Sequence, residues 1–154
     1  MTFRDMLKVK YYKKVFSMLK VVLIGKLIKK GKRLNAWRMY FLLQYILKKN
    51  TKKSSNLIIL IALLNSLIKI HFIKFRMGSV KKEIPIYLNF ERQVKFTINS
   101  WFKYTFKGLM KNNLKALIKL IGLSYKNKGP VIRKNFQEYK KALDAKVFLR
   151  YLKK

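Results

Sequence analysis

Residues 69–88 read KIHFIKFRMGSVKKEIPIYL, and nowhere else does the chain change character so abruptly. Branched and aromatic residues crowd together, and Met77-Gly78-Ser79 supplies a turn signal. Pro85 forbids a helix interior, since it has no amide donor and its ring clashes with the preceding turn. The pattern predicts a two-stranded β-ribbon. Pro85 fits a ribbon because each strand keeps an open edge where no ladder bond is needed. Lys74, Arg76, Lys81 and Lys82 gather around the turn. A lone ribbon is only marginally stable in water, so this one is expected to be ordered by what its basic end touches.

Helical periodicity flanks the ribbon on both sides. Upstream, Ser17 precedes the apolar run Met18 to Ile28, and Lys29-Lys30-Gly31 follows, which predicts a first helix with a Ser cap and a Gly stop. A second helix is expected from about Leu34 to Lys49, with Ala36, Met39, Tyr40, Leu43, Ile46 and Leu47 on its apolar face. Asn56 is placed to cap a third, Leu57 to Ile68, whose nearly all-round apolar character predicts burial between its neighbours. Downstream, a fourth helix begins at Asn89 with Phe90, Val94, Ile98, Trp101 and Thr105 facing inward and Arg92, Lys95, Asn99, Lys103 and Lys107 on another side. Asn112 caps a fifth, with Leu114, Leu117, Ile118, Ile121 and Tyr125 apolar and Lys111, Lys115 and Lys119 aligned four apart. After the Asn127-Lys128-Gly129 turn, Pro130 opens a sixth helix that continues through Phe136, Tyr139, Leu143 and Phe148. The expected architecture is mainly α, a six-helix core with the ribbon projecting between helices three and four. Residues 1–16 form a basic N-terminal extension and 17–154 a single domain.

Thirty-eight Lys and Arg oppose five Asp and Glu, a net charge of +33 on 154 residues, while 51% of the residues are hydrophobic. That apolar content supports a packed core and argues against a disordered basic tail. The charge requires an external polyanion, because self-repulsion on this scale destabilises a compact state. Nucleic-acid phosphate is the favoured source, since Lys and Arg release its condensed counterions on binding. An anionic membrane surface is the rival, motivated by the same charge and by the apolar Leu57 to Leu64. Insertion is not expected: the longest uncharged stretch, Ser54 to Ile68, has 15 residues where a spanning helix needs about 20. The amino terminus has neither a secretory nor a transit-peptide pattern.

Catalysis finds little material. Asp5, Glu83, Glu91, Glu138 and Asp144 are widely separated, with no pair at i,i+3 or i,i+4 spacing. Cysteine is absent, which removes thiolate metal sites and thiol nucleophiles. The single histidine, His71, lies in the ribbon among Lys and aromatic residues and reads as structural or phosphate-contacting. Gly25 to Arg33, GKLIKKGKR, misses the phosphate-loop pattern: five residues separate its glycines, and Arg33 stands where Ser or Thr would bind magnesium. No catalytic residue, metal ligand, cofactor or small-molecule substrate is expected.

Four ordered stretches carry a resemblance. Gly31-Lys32-Arg33 is followed by Ala36, and Arg76-Met77-Gly78-Ser79 by Ile84-Pro85-Ile86-Tyr87-Leu88. Arg92 and Trp101 come next, and Asn127-Lys128-Gly129, Arg133-Lys134, Ala142, Lys146-Val147-Phe148 and Tyr151 close the series. Over about Ser17 to Leu152 the chain resembles the universal small-subunit ribosomal protein seven family. Departures from the family pattern are Ala145 for Asn, Arg150 for His, and Asn89-Phe90 for Arg-Pro. An extended carboxyl-terminal tail is expected to be missing.

The resemblance implies a structural, non-enzymatic role in the small subunit. It implies binding to the three-prime major domain of small-subunit rRNA, organisation of the head beside neighbouring head proteins, and a ribbon near exit-site tRNA and mRNA. Lys32, Arg33, Lys74, Arg76, Lys81, Lys82, Arg92, Lys95, Lys111, Lys115, Arg133 and Lys134 are the expected rRNA contacts. The departures, with a Lys, Ile, Asn and Phe bias typical of A+T-rich genomes, point to an organellar member. A mitochondrial location, in the matrix ribosome, is expected first and a plastid-type organelle second.

Overall fold

The computed structural model describes residues 3–77, 80–107 and 113–145, with side chains described except at 3–14, 75, 77, 80–82, 106–107 and 113. Its described elements run α1 (Phe3–Leu27), α2 (Arg33–Thr51), α3 (Ser55–Asn65), β1 (Ile70–Met77), β2 (Val80–Tyr87), α4 (Phe90–Lys107), α5 (Asn113–Tyr125) and α6 (Pro130–Asp144). The expected helical architecture with a hairpin between the third and fourth helices is what the chain adopts. The strands are antiparallel, with Ile70 opposite Tyr87 and Met77 opposite Val80. Gly78 and Ser79 of the predicted turn, Lys111, the Asn112 cap and Phe148 lie outside the described residues.

Helices α1 to α5 enclose a core in which Leu19, Leu23, Tyr40, Leu43, Ile58, Ile59, Leu63, Ile98, Trp101, Leu117 and Ile121 are almost wholly buried. The predicted inward row of α4 is realised: Val94, Ile98, Trp101 and Thr105 are buried, and Arg92, Lys95, Asn99 and Lys103 are exposed. Turns follow their local chemistry. Gly31 takes a left-handed φ of 73° after α1, where a side chain would be strained. At the end of α5, Asn127 is also left-handed, while the Lys128 amide donates to the Leu123 carbonyl (2.9 Å) and the Asn127 amide to that of Ser124 (3.1 Å). This is a Schellman stop with Asn in the usual glycine place.

Local reading fails at several helix ends and faces. Ser17 is not a cap: α1 starts at Phe3 and runs through it, because Val15, Leu19, Leu23 and Leu27 continue one buried row across that position. Asn56 is not a cap either. It lies inside α3, with Ser54 preceding the helix, and its Oδ1 accepts a 2.7 Å bond from Gln44 Nε2. The same helix stops at Asn65 instead of reaching Ile68, whose amide donates to Thr97 Oγ1 of α4 (3.0 Å) rather than to its own helix. Nor is α3 buried all round, since Leu57, Ile61 and Leu64 are exposed. Met39 sits at the rim of the α2 face and is exposed, and Phe136, Tyr139 and Leu143 of α6 stand outward while Val131 and Ala142 face the bundle.

Where α3 gives way to the hairpin, buried polar groups meet. Ser66 Oγ donates to the Ala62 carbonyl (2.6 Å) and accepts from Trp101 Nε1 (3.1 Å). The Ser66 carbonyl accepts from Asn135 Nδ2 of α6 (2.8 Å). Thr97 Oγ1, which accepts from Ile68, donates to the Gln93 carbonyl (2.7 Å), and Gln93 Nε2 donates to the Leu88 carbonyl (2.6 Å). The Leu88 amide in turn donates to the Lys69 carbonyl, 2.9 Å away. Both feet of the hairpin are thereby fastened to α4, and its approach to α6.

Two outcomes follow. Trp101→Phe removes the N–H whose bond Ser66 Oγ accepts, leaving that hydroxyl its own bond to Ala62, and is expected to cost about 1–3 kcal/mol, a fall in Tm of roughly 3–10 °C. Trp37→Phe on the surface should change stability by less than about 0.5 kcal/mol, and thermal melts compare the two. The second concerns pH. Burial pushes the Tyr40 phenol above its ordinary pKa of 10.0. Above pH 10 the unfolded chain then binds fewer protons than the folded one, so stability falls as pH rises. Tyr40→Phe removes that loss, and the gap between wild type and variant in urea midpoint should shift in the variant's favour between about pH 9 and pH 11.

Candidate nucleic-acid interface

The expected contacts fall on four elements and a turn. Lys32 and Arg33 are exposed where α2 begins, directly after the left-handed Gly31. On the hairpin, Lys74 and Arg76 are exposed near the tip. The register sets Lys74 against Glu83, Phe75 against Lys82 and Arg76 against Lys81. A cationic residue directly opposite another disfavours strand pairing unless an anion lies between or beside them. For Lys81 and Lys82 this register position is what the structure supplies, and Lys111 is outside the described residues.

Arg92 and Lys95 lie on the exposed side of α4 with Asn99 and Lys103, opposite its buried row. The hairpin is held against this helix by its only histidine: the His71 ring packs on Phe96 at 4.6 Å between centroids. His71 therefore acts as a structural contact, and among the described residues no three His, Cys, Asp or Glu are grouped to hold a metal ion. The knot at the hairpin feet and this ring contact fix the ribbon and the cationic side of α4 relative to each other.

Lys115 and Lys119 are exposed on α5, where they border a groove of about 570 Å³ between α2 and α5. Ile46, Asn50, Ile118, Leu123 and Lys126 complete it. Beyond it, Lys53 Nζ lies 3.2 Å from the Tyr125 hydroxyl. Lys103, Lys126 and Lys53 thus join the basic surface although they were not among the expected contacts. Lys103 had a helical-spacing signal in the sequence; Lys126 and Lys53 depend on which helices become neighbours. On α6, Arg133 is exposed, whereas Lys134 pairs with Glu138 at 3.1 Å, the one ion pair among the described residues. The charge of Lys134 is answered within the chain by Glu138.

The uncompensated charge has a measurable cost in the free protein. Lys115 and Lys119 are i,i+4 like charges, and Lys115 lies in the first turn of α5, where the helix dipole disfavours a cation. Lys115→Glu replaces repulsion by an attractive pair and should stabilise the free protein by roughly 0.4–1 kcal/mol. A urea titration at low salt would show this, and the gain should shrink as salt is added.

A helical bundle, a braced basic hairpin and the exposed Arg92, Lys95 and Lys103 of α4 together make a helical scaffold with a cationic surface. The sequence pattern of the ribosomal protein S7p/S5e family matches residues 3–146, and the chain belongs to that family. The match begins at residue 3 rather than near Ser17 and takes in α1 from its first residue. No individual curated protein matches the chain in sequence. The family is one of structural constituents of the small ribosomal subunit, not of enzymes, and membership implies association with small-subunit rRNA and ribosomal proteins.

Proposed function

We propose that this chain binds the three-prime major domain of small-subunit rRNA and organises the head of an organellar small subunit. The hairpin lies toward exit-site tRNA and mRNA, and neighbouring head proteins cover other faces. The observation that carries the reading is the hairpin: a ribbon whose feet are locked by buried hydrogen bonds and whose distal half gathers Lys74, Arg76, Lys81 and Lys82 about a single Glu83. Rigid placement of clustered positive charge is useful for a polyanion that must be met in one orientation. Phosphate contacts supply affinity and register rather than base readout.

Residues Lys32, Arg33, Lys74, Arg76, Lys81, Lys82, Arg92, Lys95, Lys111, Lys115, Arg133 and Lys134 are the proposed contacts, with Lys134 the weakest because Glu138 shares it. The mitochondrial matrix is the proposed compartment and a plastid-type organelle the second choice, on the strength of the A+T-type composition and the departures at Asn89, Phe90 and Ala145. Among the described residues no helix is long and apolar enough to cross a membrane. A membrane-surface role would keep the charge but would leave the braced hairpin without a purpose.

The test is binding to the isolated rRNA domain across a salt series. Six phosphate contacts give a slope of log affinity against log salt of about −4 to −5. Arg92→Ala and Lys95→Ala should each flatten it by about 0.7–0.9. Native protein should sediment with small subunits through a high-salt wash. A salt-independent affinity, or recovery solely with membranes, overturns the proposal.

A further inference from the structure

The outward side of α2 is apolar where a surface helix should be polar. Ala36, Tyr40, Leu43 and Leu47 face the core. Diametrically opposite, Leu34 (76% exposed), Phe41 (58%) and Tyr45 (64%) form a ridge, flanked by Trp37 and Leu42. Leu34, Phe41 and Tyr45 follow the i, i+7, i+11 spacing of one helix side, about 16 Å long at 1.5 Å per residue. Trp37 stacks on Phe41 with centroids 5.8 Å apart, so the ridge is ordered before anything binds. Trp37 also meets the buried Tyr40 ring edge-on, with centroids 6.4 Å apart, which anchors the ridge to the core behind it.

The charged groups bordering the ridge are cationic. Lys20 Nζ lies over the Trp37 ring at 4.9 Å, and Arg38, Lys48 and Lys49 are exposed on either side. Between Asp5 and Glu83 the sequence has no acidic residue at all. An aromatic and aliphatic centre within a charged rim that includes an Arg is the anatomy of a protein-binding hot spot. Aliphatic Leu34 and Leu42 complement a ridge of side chains better than they complement nucleobases, which stack on flat rings. A second copy of this chain would bring its own +33 to the same place, and repulsion disfavours it.

We propose that this face of α2 is a docking site for another protein, specifically an amphipathic helix whose apolar seam is bordered by Asp and Glu. Apolar packing on Phe41 and Tyr45 supplies affinity, while Arg38, Lys48 and Lys49 orient the acidic flanks. The inference needs the chain to sit in its particle but uses none of the RNA contacts proposed above.

The experiment places a photo-crosslinking phenylalanine analogue at position 41 or 45 of the full chain, purifies small subunits through it, irradiates and identifies the adduct by mass spectrometry. The expected adduct is one protein segment with apolar residues at helical spacing and acidic neighbours. Arg38→Glu with Lys49→Glu should lower its yield about fivefold or more. Adducts with rRNA, lipid or a second copy, a protein segment without acids, no adduct, or a yield indifferent to charge reversal each overturn the proposal. Failure of the chain to appear in small subunits would instead strike the functional reading, so the two failures are distinguishable.

Discussion

The indole of Trp101 reaches Ser66 Oγ at 3.1 Å, and much of the molecule's geometry depends on that buried bond. Ser66 sits where a strongly apolar helix must end and a strand pair must begin, a place where backbone groups lose helical partners while still shielded from water. Unpaired, they would cost a few kcal/mol together. Instead Thr97, Gln93 and Asn135 pair them while Trp101 holds the Ser66 hydroxyl, and in doing so they decide where the hairpin points. Packing alone would leave the ribbon free to swing; directional bonds do not.

The rigid inside permits the unusual outside. A fold with +33 net charge survives only if its apolar core resists mutual repulsion, and here five helices close around aliphatic side chains with Trp101 and Tyr40 among them. With five acids for thirty-eight Lys and Arg, most cations can find no acid within the chain, while Lys134 has Glu138. Membership of the ribosomal protein S7p/S5e family supplies the context in which that arrangement makes physical sense. RNA contributes the counter-charge that the sequence omits.

What was legible in the sequence is what local chemistry controls. The hairpin followed from dense branched and aromatic residues, a turn signal and Pro85, the α4 faces from residue spacing, the α1 stop from Gly31 and the start of α6 from Pro130. Ends decided by distant partners were not legible. Ile68 would extend α3 by propensity, but Thr97, 29 residues away, takes its amide. Ser17 and Asn56 are good caps in isolation, yet burial of Val15 and a Gln44 partner overrule them. The same blindness hid surfaces: Met39, Phe136 and Tyr139 look like core residues until the fold turns them outward. Basic contact positions could be ranked by spacing and family pattern, whereas the α2–α5 groove that gathers Lys115, Lys119 and Lys126 exists only in three dimensions.

The Asn135 bond to the Ser66 carbonyl spans 69 residues, so it imposes an order in time on a chain synthesised from one end. While the polypeptide emerges, both strands of the hairpin and the Ser66 corner are made well before α6 can close over them. During that interval the strand edges are open and the Ser66 carbonyl lacks its side-chain donor, the condition under which nascent β-structure pairs with the wrong neighbour. Vectorial synthesis thus makes α6 a latch as well as a wall. Interrupted translation after α4 but before Asn135 would release a product whose hairpin feet hold to α4 but whose Ser66 corner lacks the bond from α6 that closes it.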